Sequence, residues 1–141
     1  MGVHVRTDDV RATPARIWSA CFTDMKWETW DPDVVELANV QGGLVDGGSF
    51  DFIMKEGPVK RVPCKLSNVN EAESLTFSGR AMGGLLTFKG TVELKPKEGT
   101  STTITYTFEL GGCVGGLAGN SKAVVGGVEQ GLANMKSLSE A

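Results

Sequence analysis

The strongest constraint on the fold lies at the end of the chain, where a glycine-rich run leads into a long helical pattern. Apolar residues recur there at the three- and four-residue spacing of one helix face: Val114, Leu117, Val124, Val128, Leu132, Met135 and Leu138. Small residues form a second stripe beside them: Gly112, Gly116, Gly119, Ala123, Gly127 and Gly131. A helix of this length, closing a chain that otherwise shows strand patterns, needs a large curved surface to lie against.

The small-residue stripe has two interpretations. Each glycine inside a helix costs about 1 kcal/mol relative to alanine, so a series of them indicates that space is needed at this face. The stripe can leave a void that a small molecule fills, or it can let the helix approach a neighbour closely or kink. The sequence leaves both interpretations open.

Length and charge restrict the class of protein. The 141 residues, of which 40% are hydrophobic, predict a single domain spanning residues 1–141. The net charge is −3, from 14 basic and 17 acidic residues without charge runs, which argues against a nucleic-acid partner. The sequence contains no apolar leader and no membrane-span pattern, so we expect a cytoplasmic protein.

Metal and cofactor chemistry have little support in the sequence. Cys21, Cys64 and Cys113 are widely spaced, as expected of reduced, buried thiols, and His4 is the only histidine. We therefore predict no metal site, no cofactor and no cysteine nucleophile. The glycine run also fails as a phosphate-binding loop, because Gly119-Asn120-Ser121-Lys122 lacks the Gly-Lys-Ser order.

Apolar and polar residues alternate along most of the chain, as they do in β-strands. A strand at Val3–Val10 precedes a helix for which Thr13 is the expected N-cap and Pro14 the first residue, and a short helix or turn is expected at Thr23–Thr29. Six further strands are predicted: Val34–Val40, Ser49–Lys55, Val59–Val69, Ser74–Arg80, Leu85–Lys95 and Thr102–Leu110. Tight turns between them indicate a seven-stranded antiparallel sheet, whose apolar face the last helix must cover.

Alternation also predicts which strand residues face the helix. The inward set is Phe50, Phe52, Met54, Val62, Cys64, Leu66, Leu75, Phe77, Leu86, Phe88, Val92, Leu94, Ile104, Tyr106, Phe108 and Leu110. The opposite parity is polar, with Lys65, Thr76 and Lys89 among its members. The first strand is ambiguous: inward Val10 sends His4 and Arg6 inward as well, whereas inward Val3 and Val5 require a bulge.

Two motifs carry a family resemblance. The segment Ala12-Thr13-Pro14-Ala15-Arg16-Ile17-Trp18, followed by Thr23-Asp24-Met25-Lys26-Trp27-Glu28-Thr29-Trp30-Asp31-Pro32, resembles the opening of START-like (SRPBCC) helix-grip domains, nearest their polyketide cyclase/dehydrase and lipid-transport branch. The resemblance implies an α+β fold in which a seven-stranded antiparallel sheet grips a long C-terminal helix, with two short helices after strand 1. It also implies a cavity for a hydrophobic or amphipathic molecule. The many glycines of the last helix depart from the family pattern.

The candidate catalytic groups are few. Tyr106 is the only tyrosine and has inward parity, so its hydroxyl can orient a ligand carbonyl or donate a proton; the alternative is a core aromatic bonded to backbone. Arg80, Asp31 and His4 are weaker candidates. Arg80 can pair with an anionic ligand head or simply face water.

A ligand-lining set follows from the same placement. We predict that it comprises Trp27, Trp30, Phe50, Phe52, Met54, Cys64, Phe77, Met82, Phe88, Tyr106, Gly116, Gly119 and Ala123. Trp27 and Trp30 are expected at the cavity mouth, where they stack on a ligand or plug the open end of the sheet.

Three functional hypotheses remain. The first is a non-catalytic carrier or sensor of a lipid or polyketide-like molecule. The second is a cyclase or dehydratase that uses Tyr106 with Arg80, Asp31 or His4. The third is an interaction domain without a ligand, whose glycine-rich helix packs against a second copy; the expected state is a monomer or weak homodimer.

Overall fold

The computed structural model describes residues 2–56, 59–112 and 122–141. Within these ranges the chain forms a seven-stranded antiparallel sheet and two α-helices, with the strands in the order β1-β7-β6-β5-β4-β3-β2. The elements are β1 (Gly2–Val10), α1 (Pro14–Cys21), β2 (Val34–Gln41), β3 (Ser49–Met54), β4 (Arg61–Asn70), β5 (Ser74–Ala81), β6 (Leu86–Pro96), β7 (Thr102–Gly111) and α2 (Lys122–Glu140). Short 3-10 turns lie at Trp27–Thr29 and Met82–Gly84.

The sequence-based strand and helix predictions are confirmed to within a few residues. Thr13 caps α1 as expected, because its side-chain oxygen accepts a hydrogen bond from the Arg16 amide at 3.2 Å. The Thr23–Thr29 segment forms only the single 3-10 turn. The predicted helical stretch at residues 113–121 lies outside the described residues.

The structure resolves the ambiguity in the register of the first strand. β1 pairs with β7 without a bulge, with His4 opposite Phe108 and Arg6 opposite Tyr106. Val3 and Val5 are therefore about half exposed, at 48% and 51%. Strict alternation holds, as expected when inward Val10 sets the parity of the whole strand.

The sheet's apolar face lies against α2 and α1. The parity prediction holds for the inward set, whose members are all buried or half-buried. Thr76 differs: it was expected to face water, yet it is buried and its hydroxyl lies 3.4 Å from that of Thr91 on the neighbouring strand. This pair satisfies a polar group that the strand removes from solvent.

α2 is held along its length by specific contacts. Val128, Leu132 and Met135 are buried in the core, as the helical pattern predicted. Two polar contacts fix the helix further: Asn134 Nδ2 donates to the Trp30 carbonyl at 2.9 Å, and the Arg16 guanidinium reaches the last carbonyls of the chain. No helix in the described part of the chain is both long enough and apolar enough to cross a bilayer.

Candidate functional site

A cavity lies between the inner face of the sheet and α2. It consists of two adjoining chambers that share Asp31, Asp33, Met54, Phe108 and Leu110. The inner chamber, about 140 Å³, is otherwise lined by apolar side chains: Phe52, Val62, Phe77, Leu86 and Phe88. The outer chamber, about 380 Å³, forms a mouth groove that also contacts Pro32, Lys55, Glu56, Tyr106, Val124, Gly127 and Val128. The site thus has an apolar interior and a polar mouth, as small-molecule sites do.

Two glycines in the middle of β5 and β6 shape the inner chamber. Phe77 lies opposite Gly90, and Phe88 lies opposite Gly79. A β-carbon at residue 90 would overlap the Phe77 ring, and one at residue 79 would overlap the Pro63 carbonyl oxygen and lie 2.9 Å from the Phe88 ring. Each ring therefore rests on bare backbone, which keeps both aromatics close to the sheet and leaves depth above them.

The polar mouth is built by the turn that leads into β2. Asp33 donates its amide hydrogen to Asp31 Oδ1 at 3.0 Å, across Pro32. The Lys55 amide donates to the Asp33 carbonyl at 2.9 Å, which ties the turn to the end of β3. This local hydrogen-bonding pattern holds two carboxylates beside the same opening.

α2 closes the other side of the mouth with its small residues. A β-carbon at Gly127 would lie 2.8 Å from Asp33 Oδ2, closer than real side chains approach. At Gly131 it would lie 3.6 Å from both the Trp30 and Tyr106 rings, an ordinary contact. The glycine at 127 therefore leaves room for a carboxylate, whereas a β-carbon at residue 131 would fit against the two aromatic rings.

Tyr106 connects the mouth to the aromatic core. It is buried, and its ring meets Trp30 edge-on with centroids 5.8 Å apart. Burial, and then the nearby Asp31 and Asp33 carboxylates, hold the pKa of the Tyr106 phenol well above its usual value, so the phenol is a proton donor and hydrogen-bond partner. Within the described residues, its hydroxyl makes no hydrogen bond.

Burial also changes the acidity of the two carboxylates. It raises the pKa of Asp31 to about 6, although the hydrogen bond from the Asp33 amide acts in the opposite direction. The pKa of Asp33 is raised as well, chiefly by burial, and is lowered by Lys55 and raised by Glu56 to smaller extents. Asp31 therefore titrates near neutral pH inside a ligand-sized cavity.

The structure brings together about half of the predicted site residues. Phe52, Met54, Phe77, Phe88, Tyr106 and Asp31 all line the cavity. Gly116 and Gly119 lie outside the described residues, as does the side chain of Ala123. His4 lies opposite Phe108 on β1 and lines neither chamber.

The two tryptophans lie in the core and not at the mouth. Trp27 and Trp30 are both fully buried, and neither lines the cavity. Trp27 packs on Phe22, Trp30 and Phe50 at centroid distances of 5.4–5.7 Å. The 3-10 turn points both indoles inward, so they support the cavity wall from behind.

Four other predicted residues lie away from the cavity. Phe50 is buried beside Trp27, and Met82 is 45% exposed in its 3-10 turn. Arg80 pairs with Thr87 and has the opposite parity to inward Phe77, so it points to the outer side of the sheet. It lines an open depression of about 740 Å³, which Phe50, Cys64 and Phe88 also line. Arg80 and Tyr106 are thus on opposite faces. Burial raises the pKa of the Cys64 thiol to about 12 and keeps it un-ionised, which disfavours a nucleophilic role.

Several lining residues were not identified from the sequence. Val62, Leu86, Phe108 and Leu110 were expected on the inner face but not at a cavity. Asp33 had no predicted role, although Asp31-Pro32-Asp33 is a turn motif that can present two carboxylates together. Gly79 and Gly90 interrupt strands, which is a recognised sign of close approach over the backbone.

The seven-stranded sheet and the C-terminal helix together define a helix-grip fold. The family model for "Polyketide cyclase / dehydrase and lipid transport" matches residues 2–140, so the chain belongs to that family. This result and the fold confirm the resemblance to SRPBCC helix-grip domains. A comparison with curated protein sequences gives no match.

Solved structures show the same fold at low sequence identity. The chain is similar to hypothetical protein jhp0584 of Helicobacter pylori, with a TM-score of 0.79, 11% identity and coverage of 98% of this chain and 88% of that one. It is similar to XoxI of Bacillus cereus, with a TM-score of 0.73, 14% identity and coverage of 97% and 94%. Truncated norcoclaurine synthase of Thalictrum flavum gives a TM-score of 0.72, 14% identity and coverage of 96% and 91%. At these identities the similarity is one of fold.

Proposed function

We propose that this protein binds a small hydrophobic or amphipathic molecule between the sheet and α2, as a carrier or sensor. The observation that supports the proposal is an apolar chamber joined to a polar mouth, within a fold whose family name includes lipid transport. Half-buried Phe88, Phe108 and Leu110 contribute apolar surface that folding alone leaves uncovered.

The volumes of the two chambers limit the size of the ligand that can bind. The inner chamber of about 140 Å³ suits a compact ring or a short chain, with the remaining atoms in the mouth groove of about 380 Å³. Four aromatic side chains, Phe52, Phe77, Phe88 and Phe108, surround the inner chamber. Aromatic walls favour a flat, polyketide-like ring.

Probe binding with a matched pair of variants tests the proposal. Leu86→Trp fills the inner chamber, whereas Leu85→Trp adds the same side chain at a neighbouring position that is 47% exposed and outside the cavity. We expect a fluorescent naphthyl or fatty-acid probe to bind the unmodified protein and Leu85→Trp, and to lose at least about tenfold in affinity with Leu86→Trp.

Two results bear on ligand occupancy. Native mass spectrometry of gently purified protein is expected to show a bound small molecule that extraction releases. Absence of a bound molecule, together with no affinity for any probe, would contradict the proposal. Equal binding by both tryptophan variants would place the ligand elsewhere.

A second candidate function is catalysis in the same cavity, as a cyclase or dehydratase. It is favoured by one observation: Tyr106 and Asp31 line one mouth, where burial raises the pKa of Asp31 to about 6. A carboxyl group that titrates near neutral pH can transfer protons, and a buried phenol can polarise a carbonyl. Tyr106→Phe is then expected to abolish turnover of a true substrate while leaving its binding within about tenfold. Unchanged turnover would remove Tyr106 from such a mechanism.

A further inference from the structure

We infer that the ligand of this cavity carries a protonated amine on an apolar, ring-sized body, with the amine held at the mouth by Asp31, Asp33 and Tyr106. This inference rests on the proposed function, because it assigns a chemical class to the molecule that the cavity binds. It depends on the charges, hydrogen-bonding capacity and shape of the mouth groove.

The mouth carries an excess of negative charge. Asp31, Asp33 and Glu56 line it with carboxylates, and Lys55 is the single basic side chain among the described lining residues. None of the five ion pairs found in the described ranges involves any of these four residues. The side of α2 that completes the groove, through Val124, Gly127 and Val128, contributes no charge. A cation entering the groove therefore meets two neighbouring carboxylates, neither of which forms an ion pair within 4.0 Å among the described residues, although Lys55 acts on Asp33 from a longer distance.

The hydrogen-bonding groups at the mouth are acceptors with spare capacity. Asp31 uses Oδ1 for the Asp33 amide, and within residues 2–56, 59–112 and 122–141 its other oxygen receives no hydrogen bond. Asp33 Oδ2 occupies the space that Gly127 leaves. The Tyr106 hydroxyl, on a side chain that is only 3% exposed, makes no hydrogen bond to the described residues. An ammonium group has three donors and no acceptor, which matches two carboxylates and a phenol oxygen.

Other head groups fit this mouth less well. A carboxylate or phosphate head would meet like charge from Asp31, Asp33 and Glu56. A purely apolar ligand would displace water from carboxylates without replacing its hydrogen bonds. A neutral hydroxyl would satisfy one acceptor but would gain nothing from the excess negative charge.

Three probes with one apolar body test the inference on the whole 141-residue chain. Naphthylmethylamine, naphthylmethanol and naphthoate share an aromatic ring system and differ in head-group charge. At about pH 7.5, above the pKa of about 6 for Asp31, we expect the amine to bind at least about tenfold more tightly than the alcohol, and the carboxylate to bind most weakly.

Carboxamide variants test whether Asp31 and Asp33 cause the preference for the amine probe. Asp31→Asn and Asp33→Asn preserve side-chain size and an acceptor oxygen, so each is expected to fold, as circular dichroism checks. Each should weaken amine binding by about tenfold while changing alcohol binding by less than about threefold. Asp24→Asn removes an exposed carboxylate that does not line the cavity, and it should leave all three affinities unchanged.

The outcomes separate this inference from the proposed function. Binding of the alcohol or the carboxylate as tightly as the amine would overturn the amine assignment and leave a small-molecule cavity in place. An amine preference that survives in both carboxamide variants would also overturn it. Failure of all three probes to bind would overturn the amine assignment, and it would overturn the proposed function as well when native mass spectrometry also shows no bound molecule.

Discussion

Gly127 of α2 lies directly against the carboxylate of Asp33, at a distance that leaves no room for a β-carbon: one placed there would be 2.8 Å from Oδ2. The preceding residue, Gly126, would have nothing within 4 Å of a β-carbon placed on it. Two adjacent glycines in one helix thus have different environments. Of these two glycines, only Gly127 lies against a group at the cavity mouth.

This contrast predicts different effects of the same substitution. Gly126→Ala should raise the free energy of unfolding by up to about 1 kcal/mol, through helix propensity alone. Gly127→Ala gains the same propensity but must displace the Asp33 carboxylate, so its net gain should be smaller and amine-probe binding should weaken. Urea denaturation and probe titration measure both quantities.

A third variant checks the cause of that difference. In an Asp33→Ala background the displaced carboxylate is absent, so both glycine substitutions should stabilise the protein equally. A difference that persists unchanged in this background would show that Asp33 is not the reason for glycine at position 127.

Burial of Asp31 predicts a particular pH dependence of stability. The pKa of the Asp31 carboxyl rises from its ordinary value of 3.8, which we take for the unfolded chain, to about 6 in the folded protein. The folded state therefore binds this proton more tightly than the unfolded state does. The contribution of Asp31 is therefore most favourable below about pH 4, is lost as the pH rises to about 6, and is constant above that value. Asp31→Asn should accordingly gain stability relative to the unmodified protein between about pH 4 and pH 7, by about 2–3 kcal/mol.

Urea denaturation across this pH range measures the effect. The neighbouring Asp33, Lys55 and Glu56 are present in both proteins, so the comparison isolates the substitution at residue 31. Asp24→Asn, at an exposed position, provides the control and should show no comparable trend. A pH-independent difference for Asp31→Asn would mean that this carboxyl is not titrating in the buried setting described.

The contact between Gly90 and Phe77 predicts a severe effect of adding one methyl group. A β-carbon at residue 90 would overlap the Phe77 ring, which is 1% exposed and is packed between Trp27 and Phe52. Gly90→Ala should therefore destabilise the protein by about 1–3 kcal/mol and reduce probe binding, because the displaced ring must enter the chamber. Adding Phe77→Leu to Gly90→Ala should recover part of the loss. Strictly additive effects of the two substitutions would contradict the proposed contact.

Local patterns in the sequence were sufficient for the secondary structure and the parity of the sheet. Alternation placed residues such as Phe52 and Tyr106 on the inner face, and the Thr13-Pro14 pair marked the start of α1. The same alternation already implied an outward Arg80, because Phe77 and Leu75 point inward. The position of Arg80 near a turn made it a site candidate, but its parity places it on the outer face.

The candidate site depends on contacts between residues that are far apart in sequence, and no local pattern predicts such contacts. The indoles of Trp27 and Trp30 point inward because the 3-10 turn packs on α1 and the sheet. These are tertiary contacts, so the local sequence does not predict them. The role of Asp33 depends on α2, which lies far away in sequence and meets it through Gly127. A stripe of glycines indicated that space was needed at α2, but only the three-dimensional arrangement identifies a carboxylate as the group that uses it.

Methyl NMR during titration with naphthylmethanol, a neutral probe, tests ligand binding in the cavity independently of its charge. We expect the methyl signals of Val62, Leu86, Leu110 and Val128, which line the cavity, to shift together, while those of exposed Val35, Val40 and Leu85 do not shift. Saturable shifts confined to the exposed methyl groups, or no shifts at any concentration, would contradict a ligand site between the sheet and α2.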